Sequence, residues 1–521
     1  MDVIQGLRRA VRLFPNYLAG IDGEQTYSWR EFEERNRRLA LGLSGLGLTK
    51  GQRVAILMLN RFQYLELYYA IMRLGGVVVP LNTRYAPAEI AYVVKDSEAR
   101  LLICDTNCTP LVEKVREELS GIQSYIRVGQ NPQPPGFIAY DSLLEASSDI
   151  SQFQELDLHD DDLAGLFYTG GTTGRAKGVM LTQRNLASNA LHGRATRVIE
   201  PGDIWFHVAP MFHLADLSST FAYTENGGGH AFSPSFEPRR VLETIAHHGI
   251  TATVFVPTML NMLLQLPDLQ DYDLSSLKTI SYGAAAMPVD LLRQAMARFG
   301  CDFGQGYGMT EASPLITHLS PNDHRTALDA PPGSLAARRL RSCGRPVVGV
   351  EVRVVDAQGK DVEPDEIGEI IVHGPNIMQG YWKLPLETAE VLRQGWLYTG
   401  DMAMVDEGFY IYIVDRRKDM IISGGENIYS LEVENALYAH PAVLEAAVVG
   451  LPDAHWGEKV HAVVVVKPGL NLSAEELIQT CRRQIAHYKA PRSVEFVKEL
   501  PRSGAGKILK RDLRHKYLVD N

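Results

Sequence analysis

The chain has 521 residues, beyond the roughly 250–300 at which one hydrophobic core stops growing, so two or more packed units are expected and a lone binding module is excluded. With 45% hydrophobic, 22% charged and 8% aromatic residues, it has the make-up of a soluble globular protein rather than a disordered, collagenous or coiled-coil one. The 62 acidic against 52 basic residues leave a net charge of -10, which repels nucleic acid and anionic lipid.

The opening stretch, MDVIQGLRRAVRLFPNY, has an Arg pair but no apolar run of signal-peptide length, and reads as an amphipathic first helix. From residue 29 to about 281, short β-branched apolar runs alternate with amphipathic stretches of helix length. That rhythm predicts mostly parallel sheets covered by helices. Strands are expected at 54–57, 77–80 and 101–104, with helices at 64–73 and 87–96 between them, and QNPQPPG at 130–136 reads as a Pro-rich surface loop. Beyond Ser342, VEVRVVDAQGK, GEIIVHG and GFYIYIVDRRKD alternate as half-buried antiparallel strands do, which implies a smaller β unit.

In the last hundred residues, Ser430 is placed to cap a helix running to Ala439, stopped by His440 and Pro441, and 446–449 and 460–466 read as strands. Ser473 and Glu476 have capping-box spacing, followed by Leu477, Cys481 and Ile485 at every fourth position. The charged run Asp415, Arg416, Arg417, Lys418, Asp419 is costly to bury, so it is expected between two bodies. The predicted fold class is α/β: a large N-terminal domain (1–414) of mostly parallel sheets covered by helices plus a β subdomain, a hinge at 415–418, and a small mobile α+β domain (419–521). Five scattered cysteines, Cys104, Cys108, Cys301, Cys343 and Cys481, suit a reducing, cytoplasmic setting and no zinc ribbon. The longest apolar stretches, at 74–81 and 462–466, fall well short of the ~18 residues a bilayer span needs, so no transmembrane segment is expected.

The densest chemistry lies at 168–178, YTGGTTGRAKG. Glycines let successive N–H groups turn inward as a nest, threonines add donors, and Lys177 supplies a full charge, so a polyphosphate is the natural guest. The spacing fits neither G-x-x-x-x-G-K-[ST] nor G-x-G-x-x-G, which weakens kinase-like and dinucleotide readings. No G-x-S-x-G elbow or H-E-x-x-H pair occurs, so serine and zinc hydrolases lack support.

This loop resembles the first signature of the adenylate-forming superfamily, which includes acyl-CoA synthetases, luciferases and the adenylation domains of peptide synthetases. Gly170 stands where Ser is usual and Ala176 where Pro is usual. PMFH at 210–213, YGAA at 282–285, QGYGMTE at 305–311, YTGD at 398–401, DRRKDM at 415–420 and PRSGAGK at 501–507 resemble the later signatures in order. The resemblance covers essentially the whole chain. It implies that ATP, with Mg²⁺, activates a small-molecule carboxylic acid, and that coenzyme A then takes the acyl group.

By resemblance, Thr169, Gly170, Gly171, Thr172, Thr173, Gly174 and Lys177 hold phosphates, and Thr169 and Glu311 hold the metal. Tyr307 among Gly306, Gly308 and Met309 offers a face for the base, with Gly283, Ala284 and Ala285 allowing close approach from the other side. Thr310 donates to the α-phosphate, Asp401 and Arg416 share the ribose, and Ile413 completes the nucleotide site. Lys507 bridges the substrate carboxylate and the α-phosphate, where a point charge offsets repulsion between two anions. Rotation about Lys418 would withdraw it and present Gly424, Gly425 and Glu426 to the pantetheine arm. His213 is expected to form the acyl pocket with Leu214, Leu217, Tyr282, Gly283, Gly308, Ala312, Pro314 and Leu315.

That apolar set, without a basic residue for a second carboxylate, suggests a medium to long fatty acid or an aryl acid, with the fatty acid taken first. Leu217 stands where some fatty-acyl members carry an aromatic gate, so an aryl acid is the alternative. A stand-alone enzyme loading a carrier protein, and a degenerate nucleotide-binding scaffold, are the competing functions. A homodimer is left open by the sequence.

Overall fold

Apolar runs buried on both faces build two large sheets. In the computed structural model, which describes residues 1–130, 132–145, 149–169, 175–283, 287–453, 455–502 and 508–519, strands Arg53–Leu57, Val77–Pro80 and Leu101–Asp105 are buried almost throughout and pair in parallel. Such strands need cover on both faces. Helices Phe62–Arg73 and Pro87–Ser97 between them contribute to it, as the alternation predicts. Among the described residues this sheet has eight strands, in the order 380–381, 177–182, 163–169, 77–80, 53–57, 101–105, 124–128, 137–139. Its first three strands run antiparallel to one another.

The second sheet runs 345–346, 315–319, 302–308, 279–283, 252–255, 204–207, 229–232, 18–22, 25–28. It is parallel from 302–308 to 18–22 and antiparallel at both ends. Phe206, Phe255, Ile280 and Phe303 from its strands pack against Leu242, Ile245, Leu292 and Phe299 from helices Pro238–His248 and Val289–Phe299. The first helix, Ile4–Leu13, buries Ile4, Leu7 and Ala10 and leaves Arg8 and Arg12 exposed, as an amphipathic helix should. These elements belong to one compact unit, residues 1–351 and 373–395.

The other unit takes 352–372 and the chain from 396 onward. Strand Trp396–Val405 alternates half-buried and buried positions without a break, and pairs antiparallel with Gly368–His373 and Ile411–Arg416. A further sheet orders 426–428, 421–423, 457–466 and 443–453, with Ser493–Phe496 joined in parallel to Gly457–Val466. Val433 and Leu437 of helix Ser430–Tyr438 and Leu477 and Cys481 of helix Ala474–Gln484 cover it. The latter helix starts where the Ser473 hydroxyl accepts the Glu476 N–H at 3.2 Å, one half of the capping box that the spacing predicts.

Two details depart from expectation. Packing attaches the antiparallel β segment to the C-terminal elements, so 415–418 falls inside the second unit rather than at its border. Ser430 is the first residue of its helix, after the N-cap Tyr429, and its N–H and hydroxyl both donate to Asp415, the hydroxyl at 3.0 Å. Those bonds explain why Asp415 is only 4% exposed although its charged neighbours Arg417 and Lys418 are in solvent. All five cysteines are free thiols, and among the described residues no helix is long and apolar enough to cross a membrane.

Candidate functional site

Antiparallel strands Leu163–Thr169 and Lys177–Thr182 place Thr169 opposite Lys177, so both flanks of the glycine loop meet at one sheet edge. Gly170, Gly171, Thr172, Thr173 and Gly174 lie outside the described residues, as do Ala284, Ala285 and Lys507. Tyr168, the first residue of the motif, is tied to a partner outside it. Its phenol donates to Asp96 at 2.6 Å, and burial together with that carboxylate holds its pKa far above the ordinary tyrosine value.

The short strand Gly380–Tyr381 adds to the outer side of Lys177–Thr182, with Tyr381 opposite Val179. There the Lys177 ammonium stands 5.1 Å from the centroid of the Tyr381 ring, and the Tyr381 phenol donates to Glu311 Oε1 at 2.8 Å. One tyrosine thus meets a cation on its face and an anion at its tip. Glu311 is only 7% exposed and, among the described residues, makes no salt bridge. The segment leading to Tyr381 is fixed from several sides. Asn185 donates to the carbonyls of Pro375 and Ile377, both at 2.8 Å, and the Asn376 amide donates to those of Ala312 and Leu315 at 2.8 and 3.0 Å. Met378 N–H donates to the Glu311 carbonyl at 2.9 Å. Residues 375–382 therefore splice the Thr310–Glu311 turn to the glycine-loop strand.

Strand Asp302–Gly308 carries Gly306, half-buried Tyr307 and Gly308 into that turn, with Met309 its N-cap and Thr310–Ala312 a single 3-10 turn. The glycines answer to the chain itself. A Cβ on Gly283 would come 2.4 Å from the Gly306 carbonyl oxygen across paired strands, and one on Gly308 would come 1.7 Å from that of Pro314. Close backbone approach, rather than room for a base alone, excludes a side chain there. Tyr282 belongs to the core of the second sheet, 1% exposed, with its phenol 2.8 Å from His324 Nε2. It therefore offers no open ring to a pocket.

His213 is the N-cap of helix Leu214–Glu225, where its Nδ1 accepts the Ala215 N–H at 3.1 Å, an arrangement that puts the ring proton on Nε2. Leu214, Leu217, Ala312 and Leu315 are buried, and Pro314 is half-buried.

In the second unit the antiparallel register sets Asp401 opposite Arg416, and Arg416 Nε meets Asp401 Oδ1 at 2.8 Å. Asp401 is nearly buried, while the Arg416 side chain stays 40% exposed and accessible to a ligand. Ile413 is half-buried on the same strand. Lys418 is exposed, and its carbonyl accepts from Arg514. Gly424 and Gly425 form the two-residue turn of the hairpin pairing Ser423 with Glu426, and both have positive φ, +62° and +85°. That geometry alone calls for glycine. Buried Asp415 is joined through the Ser430 hydroxyl to Lys510, whose ammonium donates to that hydroxyl at 2.5 Å and meets Glu434 at 2.7 Å.

Tyr381, Asn376 and the Ser430–Glu434–Lys510 group were not identified from the sequence. Gly380 beside Tyr381 was the one available signal. Among the described residues no three His, Cys, Asp or Glu side chains gather as a metal cage. Magnesium is usually held by one or two protein carboxylates together with oxygens brought by a substrate, and buried Glu311, with one oxygen taken by the Tyr381 phenol, would fit that role.

Residues 7–382 match the family model described as AMP-binding enzyme, and 432–507 match the AMP-binding enzyme C-terminal domain. The chain is 39% identical over 510 residues to a feruloyl-CoA synthase of an Amycolatopsis species, covering 98% of each. It is 35% identical to a long-chain-fatty-acid–CoA ligase of Escherichia coli O157:H7, covering 98% of this chain and 94% of that one. The ATP-bound crystal structure of MatB from Rhodopseudomonas palustris superposes with a TM-score of 0.87 at 32% identity, covering 99% of both chains.

Proposed function

This chain belongs to the AMP-binding enzyme family of the adenylate-forming superfamily, as an acyl- or aryl-CoA ligase of the AMP-forming acid–thiol type, and from that premise we propose that it converts an apolar carboxylic acid, first of all a medium to long fatty acid, to its coenzyme A thioester. The observation that carries this reading is the Lys177–Tyr381–Glu311 arrangement, a cation from the flank of the glycine loop and a buried carboxylate that meet one tyrosine.

A carboxylate is a poor acyl donor because its leaving group would be oxide. Its oxygen attacks the α-phosphorus of ATP in line, the bond from that phosphorus to the bridging oxygen breaks, and pyrophosphate leaves with the electron pair. AMP is then the leaving group of a mixed anhydride. Thiolate of coenzyme A, a few per cent of the thiol at neutral pH given a pKa of about 8.5, attacks the carbonyl carbon and releases AMP.

Lys177 and the Thr169 hydroxyl hold phosphate oxygens at the loop flanks, Thr310 donates to the α-phosphate, and Tyr307 backs the base. Asp401 accepts from the ribose hydroxyls while Arg416 fixes its orientation. Lys507 bridges the two reacting anions. Glu311 and Thr169 would hold Mg²⁺, which when bound neutralises charge on the transferring phosphoryl group. His213, Leu214, Leu217, Ala312, Pro314 and Leu315 line the acyl side.

An aryl acid is the second reading, favoured by the feruloyl-CoA synthase similarity over nearly the whole chain and by Leu217 in place of an aromatic gate. Acid-dependent ATP–pyrophosphate exchange with a panel from short aliphatic through aryl to long-chain acids decides between them. Exchange with fatty acids is expected, and exchange with ring acids alone selects the second reading. No exchange with any acid sinks both. Coenzyme A against holo-carrier protein as acceptor then tests the thiol.

A further inference from the structure

No motif singles out the tyrosine shared by Lys177 and Glu311. We propose that Tyr381 is a positioning residue for adenylation: its phenol fixes Oε1 of Glu311 so that the other carboxylate oxygen is held ready for the divalent cation that accompanies ATP. The proposal rests on the reading of Glu311 as the metal-holding acid.

A glutamate has three rotatable side-chain bonds, and ordering it when a cation arrives costs affinity that prior fixing saves. The 2.8 Å phenol bond supplies that fixing. A neutral donor suits the role. It leaves the carboxylate its charge, whereas a lysine or arginine at the same place would compete with the cation. Lys177, the nearby ammonium, is kept on the ring face, 5.1 Å from the centroid, rather than in a salt bridge with Glu311.

Both partners are fixed by one short segment. Met378 N–H holds the Glu311 carbonyl at 2.9 Å, and three residues later Tyr381 N–H donates to Thr388 Oγ1 at 2.9 Å while the strand pairs with Lys177–Thr182. Phenol and carboxylate thus meet across 70 residues of sequence with little freedom on either side. The ring packs and the hydroxyl bonds, so Tyr381→Phe removes the second function and keeps the first.

The test compares ATP affinity by calorimetry in excess Mg²⁺ and in EDTA for the full chain, Tyr381→Phe, Glu311→Gln and the double variant. The wild-type chain gains affinity with Mg²⁺, and Glu311→Gln loses most of that gain. Tyr381→Phe is expected to lose about tenfold of it, the size of one hydrogen bond to a charged group, with metal-free ATP affinity unchanged. The Mg²⁺ concentration for half-maximal exchange should rise by a like factor, and the double variant should be no worse than Glu311→Gln. A wild-type metal gain in Tyr381→Phe, beside a lost gain in Glu311→Gln, overturns the role of Tyr381 and leaves the metal reading intact. A full gain in Glu311→Gln overturns the metal reading itself and the proposal with it. Equal losses of ATP affinity with and without metal make Tyr381 a packing residue and end the proposal.

Discussion

Gly308 and Gly425 exclude side chains for different reasons, and the difference sets the cost of replacing them. At Gly308 an added methyl would lie 1.7 Å from the Pro314 carbonyl oxygen, a backbone atom that cannot swing aside. Overpacking of this kind costs about 3 kcal/mol or more. At Gly425 nothing among the described residues stands within 4 Å, and the positive φ of +85° is what opposes a side chain, a penalty of roughly 1–2 kcal/mol. Gly308→Ala is therefore expected to melt well below the wild-type chain and lose pyrophosphate exchange, because the Thr310–Glu311 turn follows directly. Gly425→Ala should melt only slightly lower and keep exchange. Parallel melting curves and exchange assays check the pair, and equal losses would contradict the contact geometry. The sequence shows that both positions are glycine. It does not show which atom comes close, since Pro314 meets Gly308 only through the fold of the intervening turn.

At the scale of elements, local pattern was readable and distant pairing was not. The strands at 53–57, 77–80 and 101–105 and the cap of helix Ala474–Gln484 declare themselves through burial period and neighbouring residues. The order of motifs likewise marked Thr169, Lys177, Glu311 and Asp401 as candidates. Burial of Asp415 was hidden because its partner Ser430 lies 15 residues on, and Lys510 another 80 beyond. That cluster has its own pH signature. Burial raises the Asp415 and Glu434 carboxyls above the ordinary range, with Lys510 pulling back. Burial also works to lower Lys510, but Glu434 and Asp415 outweigh it and its pKa stands raised. A raised carboxyl gives its share of stability below the unfolded carboxylate range and loses it as pH climbs through the raised value. The raised ammonium holds its share up to the ordinary lysine range and loses it above. Lys510→Met leaves two nearly buried carboxylates without their cation, which costs about 3 kcal/mol at pH 7. The deficit should shrink toward pH 5 as those carboxyls take up protons. Melting of both chains across that range measures it, and a deficit constant with pH would refute the charge account.

At the scale of the whole molecule, the proposed function runs two half-reactions on one adenylate, and the proposed rotation places different residues beside it in each. Adenylation brings two anions within bonding distance, and a lysine bridging them lowers the barrier by charge alone. In thioester formation the thiolate attacks the acyl carbon rather than the phosphorus and AMP leaves, so no cation has to bridge a carboxylate and an α-phosphate. Lys507→Ala should therefore reduce acid-dependent pyrophosphate exchange by about 10²–10³-fold, the scale of one lost electrostatic contact to a transition state. The same variant, given synthetic acyl-adenylate and coenzyme A, should form thioester at close to the wild-type rate. Lys510→Met probes the tie across the proposed hinge, because Asp415 precedes Lys418 while Ser430 and Lys510 follow it. A rotation about Lys418 has to part Asp415 from both. If that rotation separates the half-reactions, loosening the tie should slow exchange while sparing thioester formation from supplied adenylate, the same asymmetry as Lys507→Ala at smaller amplitude. Equal loss of both half-reactions in Lys507→Ala would mean that one fixed arrangement serves both steps, and the rotation would have no work left to do.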